Sequence, residues 1–278
     1  MWLIQEAQVA DEPDWVPPGV DTGRANAARV YDYLLGGNHN FLADQDAGRA
    51  FTSVDPNART FARANRAFLG RAVRFLAGTG IRQFLDIGSG IPTQGNVHEV
   101  AQQADPAARV VYADIDPVAI AHSKVILDGN NNAAVIDADL REPEKILDHE
   151  AVARLIRPGE PTGLLLVAVL HFIADAEDPW NVVARLRDAL APGSYLVLSH
   201  VAATGETPVV KAFEKAYNRT VSTPIQARPP ASIGRFFDGF ELVEPGLVYV
   251  PLWRPDSPAD VPEDPSRFGN LVGVARKA

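Results

Sequence analysis

The sequence predicts an α/β fold, an open doubly wound sheet behind an N-terminal helical extension, on three observations. From about Arg82 onward, short apolar runs alternate with amphipathic stretches of helical period, the pattern of a parallel sheet with helical crossovers. The first run leaves through a glycine turn, Asp86-Ile87-Gly88-Ser89-Gly90, that opens a helix. The last two runs, over residues 240–250 and 269–276, have no helix between them, so they pair antiparallel and close the sheet.

Residues 1–22 carry Pro13, Pro17, Pro18 and Gly19 among scattered acids without a period, which reads as a flexible lead-in. Ala27, Tyr31, Leu34 and Leu35 then repeat at helical spacing over residues 24–35, and Gly36-Gly37 stops the helix. A longer helix is predicted over 57–76, with Phe61, Phe68, Leu69, Ala72 and Leu76 on one stripe and Arg59, Arg63, Arg66 and Arg74 off it. Asn65 falls on that stripe, where a half-buried amide needs a loop backbone or a ligand as partner.

Five apolar runs follow, over 83–87, 109–115, 133–138, 163–169 and 194–201. Pro117 after Asp116 marks one crossover helix by an N-cap and an N1 proline, and Val182, Leu186, Ala189 and Leu190 form the stripe of another, stopped by Pro192-Gly193. A helix over 208–220 and a proline-rich loop through Arg228-Pro229-Pro230 precede the closing strands. The chain divides into the lead-in (1–22), a helical extension or lid (23–80) and the α/β domain (81–278).

Composition excludes several classes. The chain has 278 residues, no cysteine and a formal charge of −9. Without cysteine there is no disulfide framework, thiolate nucleophile or zinc-thiolate site, and the histidines and acids show no metal-ligand spacing. Excess acid disfavours attachment to nucleic acid or to an anionic membrane. Nothing resembles a membrane span or a cleaved leader, so a cytoplasmic protein acting on a small molecule, as monomer or homodimer, is expected.

In open α/β sheets, ligands sit outside the carboxyl ends of the strands where strand order reverses. Gly88 and Gly90 permit a tight turn and close approach of a ligand to backbone, and the helix after them offers free N–H groups for a carboxylate. Asp86, two residues before Gly88, can accept a hydrogen bond from an ammonium group. Asp114, at the end of the second strand, can accept both hydroxyls of a ribose; its competing role as a helix cap is already filled by Asp116. After the third strand either Asp137 or Asp139 can accept an adenine amino group or cap the next helix, and Asp139 is preferred because it stands at the strand exit. His171, after the fourth strand, is a candidate general base or a packing residue. His98 is read as structural.

These segments resemble a known superfamily. Leu85-Asp86-Ile87-Gly88-Ser89-Gly90, Tyr112-Ala113-Asp114-Ile115-Asp116-Pro117, Asp139-Leu140-Arg141 and Leu170-His171-Phe172 look like the ordered signatures of class I, Rossmann-like S-adenosylmethionine-dependent methyltransferases. More narrowly, Ala28-Arg29-Val30-Tyr31-Asp32-Tyr33-Leu34-Leu35-Gly36-Gly37 and Pro92-Thr93-Gln94-Gly95-Asn96-Val97-His98-Glu99 resemble an actinobacterial methyltransferase family of unassigned substrate. The resemblance implies seven strands in the order 3-2-1-4-5-7-6 with the last antiparallel. It also implies S-adenosylmethionine as cofactor, leaving as S-adenosylhomocysteine, with Asp86, Gly88, Ser89 and Gly90 at its methionine part, Asp114 and Ile115 at the ribose, and Asp139 and Leu140 at the adenine. Pro92 stands where a third glycine is common and removes one N–H from the turn.

Val169 beside the turn, and Tyr33 and Asn65 from the extension, complete the expected cofactor site. The loop 36–41 and the segment around Tyr217 and Arg228 are candidate lids. Methyl transfer to an oxygen or nitrogen of a small acceptor needs chiefly orientation and exclusion of water, so no nucleophile triad is required. Two rivals are a cofactor-binding sensor without catalysis and an NAD(P)-dependent oxidoreductase. Thr93 in place of a third glycine, and the acid at Asp86, speak against the latter.

Overall fold

The computed structural model describes residues 16–92, 95–203 and 208–278. Three helices form the N-terminal extension: α1 (Ala27–Leu35), α2 (Leu42–Val54) and α3 (Ala58–Gly78). Asn26 caps α1 by accepting from the Ala28 N–H, and Gly36 ends it in the left-handed conformation at φ 89°, the stop that its position in the sequence predicts. Most of the lead-in lies outside the described residues. Of its remainder, Val20 packs against Ile91, Val118 and Ala119.

The α/β part alternates β1 (Gln83–Ile87), α4 (Val97–Ala104), β2 (Arg109–Asp114), α5 (Pro117–Ile126) and β3 (Ala133–Asp137). It continues through α6 (Pro143–Leu147), α7 (Glu150–Leu155), β4 (Gly163–Val167), α8 (Pro179–Ala189) and β5 (Tyr195–Val201). Asp116 accepts the Val118 and Ala119 N–H groups ahead of Pro117, as its N-cap position requires. After β5 come α9 (Pro208–Thr220), α10 (Pro230–Gly234), β6 (Phe240–Leu242), β7 (Val248–Tyr249) and β8 (Asn270–Lys277).

The strands form one sheet in the order β3-β2-β1-β4-β5-β8-β6, with β7 also paired to β8. Strands β1 to β5 are parallel and β8 is antiparallel to its neighbours. This is the expected order with one refinement. The sixth segment, 240–250, supplies two short strands, because the Glu244-Pro245-Gly246 turn, closed by Gly246 N–H on Val243 O, interrupts it. The sheet therefore has eight strands instead of seven.

Both faces of the sheet are covered, so its strands read as continuous apolar runs. Side chains alternate: Leu85, Ile87, Leu164, Leu166, Leu196 and Leu198 enter one core. Phe84, Val110, Leu165 and Val197 enter the other, beneath Phe68, Ala72 and Leu76 of α3. The extension has a small core of its own, in which Val30, Leu34, Ala47, Phe51, Ala58 and Ala62 meet Tyr217 and Val221. That cluster holds α1–α3 and α9 over the carboxyl end of the sheet. No helix among the described residues is long and apolar enough to cross a membrane.

Candidate active site

Strand order reverses between β1 and β4, and the glycine turn lies there. Gly88 and Gly90 have φ of 72° and 66°, a region that L side chains avoid. At Gly88 a Cβ would also come within 2.3 Å of Val169 Cγ2, so the missing side chain makes room for the exit of β4. At Gly90 a Cβ would meet nothing within 4 Å. The turn's N–H groups are used internally: Gly88 and Ser89 donate to Ala113 O, and Gly90 donates to Asp114 Oδ2 at 2.7 Å. The start of α4 is likewise closed by a reciprocal Asn96–Glu99 capping box. The N–H groups of residues 88–90 are therefore engaged within the protein.

Carboxylates gather beside the turn. Asp114 receives the Asp116 N–H on Oδ1 (2.9 Å) and the Gly90 N–H on Oδ2. Burial raises its carboxyl to about 6 against these hydrogen bonds. Asp86 is almost wholly enclosed, and burial pushes it up to about 7 while Arg66 pulls it down. Asp139 lines the same cavity and is engaged by Arg141, with N–H and Nη1 contacts of 2.9 Å each. Asp137 is exposed and does not line it, which separates the two candidates at the β3 exit. Ile115 and Leu140 also line the cavity.

From the extension, Asn65 reaches the cavity as expected, donating from Nδ2 to Tyr31 Oη at 3.0 Å while its buried Oδ1 has no partner. Ser89 Oγ is a second buried, unpartnered group on the wall. Tyr33 does not reach the cavity. The helical period turns Tyr33 away, toward the missing side chain of Gly48 and under the Arg59 guanidinium at 4.6 Å, and Tyr31 takes the lining position instead. The loop 36–41 is also set away from the lining, with Phe41 packed on the Ile91–Val118 cluster beneath Arg29.

Sequence reasoning passed over Arg66, which lines the cavity near Asp86 and donates from Nη2 to Asn96 at 2.8 Å. An arginine beside an apolar stripe reads as a solvated one. Only its place next to Asn65 hints at more.

At the β4 exit, Val169 and His171 line the cavity. The His171 ring is buried with Nδ1 unpartnered, 4.4 Å between centroids from Phe172 and 5.6 Å from His200. Burial, reinforced by His200 and Arg228, holds His171 well below the ordinary histidine range, so it is neutral at physiological pH. Arg228 lies behind it, fully buried, and donates to the carbonyls of Leu170 (3.0 Å) and Ile173 (2.6 Å). It is a clamp on this turn, set away from the cavity lining where a lid residue would stand. Tyr217 does line the cavity. His98 is structural as expected, its N–H and Nδ1 both meeting Tyr112 Oη at 2.8 Å.

These groups surround one cavity of about 710 Å³, within the range of roughly 300–1,000 Å³ typical of small-molecule sites. One end is formed by the exits of β1, β2 and β3. The other is walled by rings from α1, α2, α3, α9 and the segment before β8.

The model of the S-adenosyl methyltransferase family matches residues 13–278. The chain belongs to this family. The methyltransferase is 44% identical to a proposed methyltransferase from Thermobifida fusca, over 95% of this chain and 99% of that one, at a TM-score of 0.89. It is 38% identical to a duf574 family protein from Streptomyces avermitilis over 93% and 99% of the two chains, also at 0.89. The mitomycin 7-O-methyltransferase MmcR shares its fold at 15% identity and a TM-score of 0.50, over 95% of this chain and 74% of that one. No curated protein matches the chain. The cofactor of the methyltransferase is S-adenosylmethionine, as its family defines, and the oxidoreductase reading is set aside.

Proposed function

We propose that the methyltransferase holds S-adenosylmethionine across the turn at Gly88–Gly90 and transfers its methyl group to an oxygen or nitrogen of a small acceptor in the ring-walled half of the cavity. The observation that carries this is the continuity of one cavity from Asp114 and the turn, past His171, to Phe172 and Tyr217. When bound, the cofactor supplies a methyl on a sulfonium that is its own leaving group.

The residues present fit the group. Asp114 accepts the Gly90 and Asp116 N–H groups on separate oxygens, with the Ile115 N–H also acting on it, and an ionised carboxylate has about four acceptor positions, so it keeps capacity for a ribose hydroxyl. Asp139 and Leu140 flank the adenine, the first accepting from its amino group and the second packing on its ring. Asp86 and the unpartnered Oδ1 of Asn65 supply acceptors for the ammonium. Arg66, in place of the turn's occupied N–H groups, supplies the charge for the carboxylate.

The remaining work is orientation and exclusion of water by α1–α3 and α9. His171 contributes a neutral imidazole where the acceptor's proton is released. A depressed basicity suffices there, because an oxygen that has just gained a methyl group is a far stronger acid than imidazolium.

The test is transfer of labelled methyl from S-adenosylmethionine into a metabolite extract, set against protein and nucleic acid fractions. Label in the low-mass fraction alone supports the proposal, and label in either macromolecular fraction overturns the small-acceptor reading. Cofactor binding with no label in any fraction assigns the protein to the sensor class. For His171→Ala, lost turnover with unchanged affinity for S-adenosylhomocysteine is expected; unchanged turnover leaves His171 a packing residue.

A further inference from the structure

We infer that the acceptor is a flat, neutral aromatic compound bearing a hydroxyl group, which rests on the site reading above and names its substrate class. The acceptor half of the cavity is built from rings brought together by separate elements. His171 and Phe172 stand at the β4 exit, Phe172 is 6.2 Å from Tyr217 of α9, and Tyr217 stacks on Phe51 of α2 at 4.9 Å. A second pair, Phe61 of α3 and Phe268 before β8, stands at 5.2 Å. All six line the cavity, together with the small side chains of Ala27, Ala58 and Ala62. Rings at these separations offer faces and edges that pair with another ring beyond the gain from burying its area.

The charges select against ionic acceptors. From His171 outward the charged lining residues are Arg141, Asp55, Asp264 and Arg267; Arg141 reaches the Phe172 carbonyl at 3.4 Å but is already paired with Asp139 at 2.9 Å and Glu177 at 2.7 Å. Asp264 and Arg267 pair with each other at 3.3 Å on the exposed rim, and Asp55 accepts the Asn57 N–H at 2.9 Å. Among the described residues, a carboxylate, sulfonate or phosphate on the acceptor would find no cation there without an acidic partner already. A cation would face the sulfonium and the buried guanidinium of Arg228, which is bonded to His200 behind His171. The same positive end favours an oxygen that sheds its proton, as an aromatic hydroxyl does more readily than an alcohol.

In the transfer the oxygen lone pair forms the C–O bond as the C–S bond breaks, and the bonding pair stays on sulfur. The hydroxyl proton passes to the His171 imidazole and from it to solvent, so charge and atoms balance without a further reactant.

Titration calorimetry on the full chain saturated with S-adenosylhomocysteine tests this with four probes of one size: 2-naphthol, naphthalene-2-sulfonate, 2-naphthyltrimethylammonium and decahydro-2-naphthol. 2-Naphthol is expected to bind at least tenfold tighter than each of the others. Phe172→Leu should weaken it at least fivefold while leaving S-adenosylhomocysteine within twofold. Equal or tighter binding of the sulfonate, the ammonium or the saturated alcohol, or no binding of any probe to the loaded protein, overturns the inference and leaves the cofactor reading standing. Failure of S-adenosylhomocysteine itself to bind overturns both.

Discussion

Arg228 donates from Nη1 to Nε2 of His200 at 2.8 Å, joining the end of β5 to the turn that carries His171. The tautomer follows from the other ring nitrogen: Nδ1 of His200 meets the Val201 carbonyl at 2.7 Å, which can only accept, so Nδ1 holds the proton and Nε2 is free to receive. Burial, with the Arg228 charge adding to it, pushes His200 down to about 3, in keeping with a neutral ring.

Replacing Arg228 should loosen that turn. Arg228→Leu strands the Ile173 carbonyl, leaves the Leu170 carbonyl only the Ile173 N–H at 3.3 Å and removes the partner of His200, whereas the ion pair to the half-exposed Asp175 adds little. A loss of about 2–5 kcal/mol is expected in urea unfolding, on the usual scale for buried groups left unpaired. A change below about 0.5 kcal/mol, the scale of an ordinary surface substitution, would remove the clamp role.

Asp86 gives a pH dependence of known sign. Its carboxyl is raised to about 7 in the fold from an ordinary value of 3.8, so the folded chain binds its proton more tightly than the unfolded one. The stability this confers is complete below about pH 4 and is lost as pH rises through 7. Asp86→Asn should therefore exceed the parent in cofactor-free stability by about 1–3 kcal/mol at pH 8 and match it near pH 4. Binding runs the other way: an ammonium needs the ionised carboxylate, so affinity for S-adenosylhomocysteine should rise between pH 6 and 8. Asp86→Asn should bind weakly with a flat profile. A flat profile in the parent would show that Asp86 does not meet the ammonium.

The two glycines of the turn separate steric from conformational constraint. Gly90→Ala puts a methyl in open space at positive φ and should cost about 1–2 kcal/mol. Gly88→Ala adds a collision with the stiff Val169 side chain and should cost clearly more. Val169→Ala in that background should recover part of the loss. Equal costs at the two positions, read by thermal or urea unfolding, would contradict the packing described.

Asp114→Ala removes the acceptor for Gly90 N–H and for the ribose together. Affinity for S-adenosylhomocysteine should fall by about 1–3 kcal/mol, roughly 5- to 150-fold, in titration calorimetry. Unchanged affinity would take Asp114 out of the ribose role.

The sheet was legible because β1, β2, β4 and β5 are buried on both faces and leave apolar runs, and because Asp116-Pro117 and Gly36 punctuate the chain where backbone geometry demands it. Helix α2 left no such trace. Its buried face is Asp44, Ala47, Gly48 and Phe51, small or acidic apart from Phe51, because Tyr33 fills the place of a Gly48 side chain and Asp44 serves the buried Arg29. Periodicity cannot reveal a face whose partners supply the bulk. Asp86, Gly88, Gly90, Asp114 and Asp139 were legible because strand ends converge by topology. Tyr31 and Arg66 were not, since which face of α1 and α3 meets the cavity depends on how those helices dock, and Tyr33 lies off the cavity lining for the same reason.

The most direct measurement is a crystal structure of the protein with S-adenosylhomocysteine. The expected complex has the ribose hydroxyls on Asp114, the adenine beside Asp139 and Leu140, the ammonium at Asp86 and Asn65, and the thioether sulfur turned toward the ring-walled half. A ligand whose adenosine occupies the ring-walled half between Phe51, Phe61 and Tyr217, with Asp114 bonded only to Gly90 and Asp116, would contradict it.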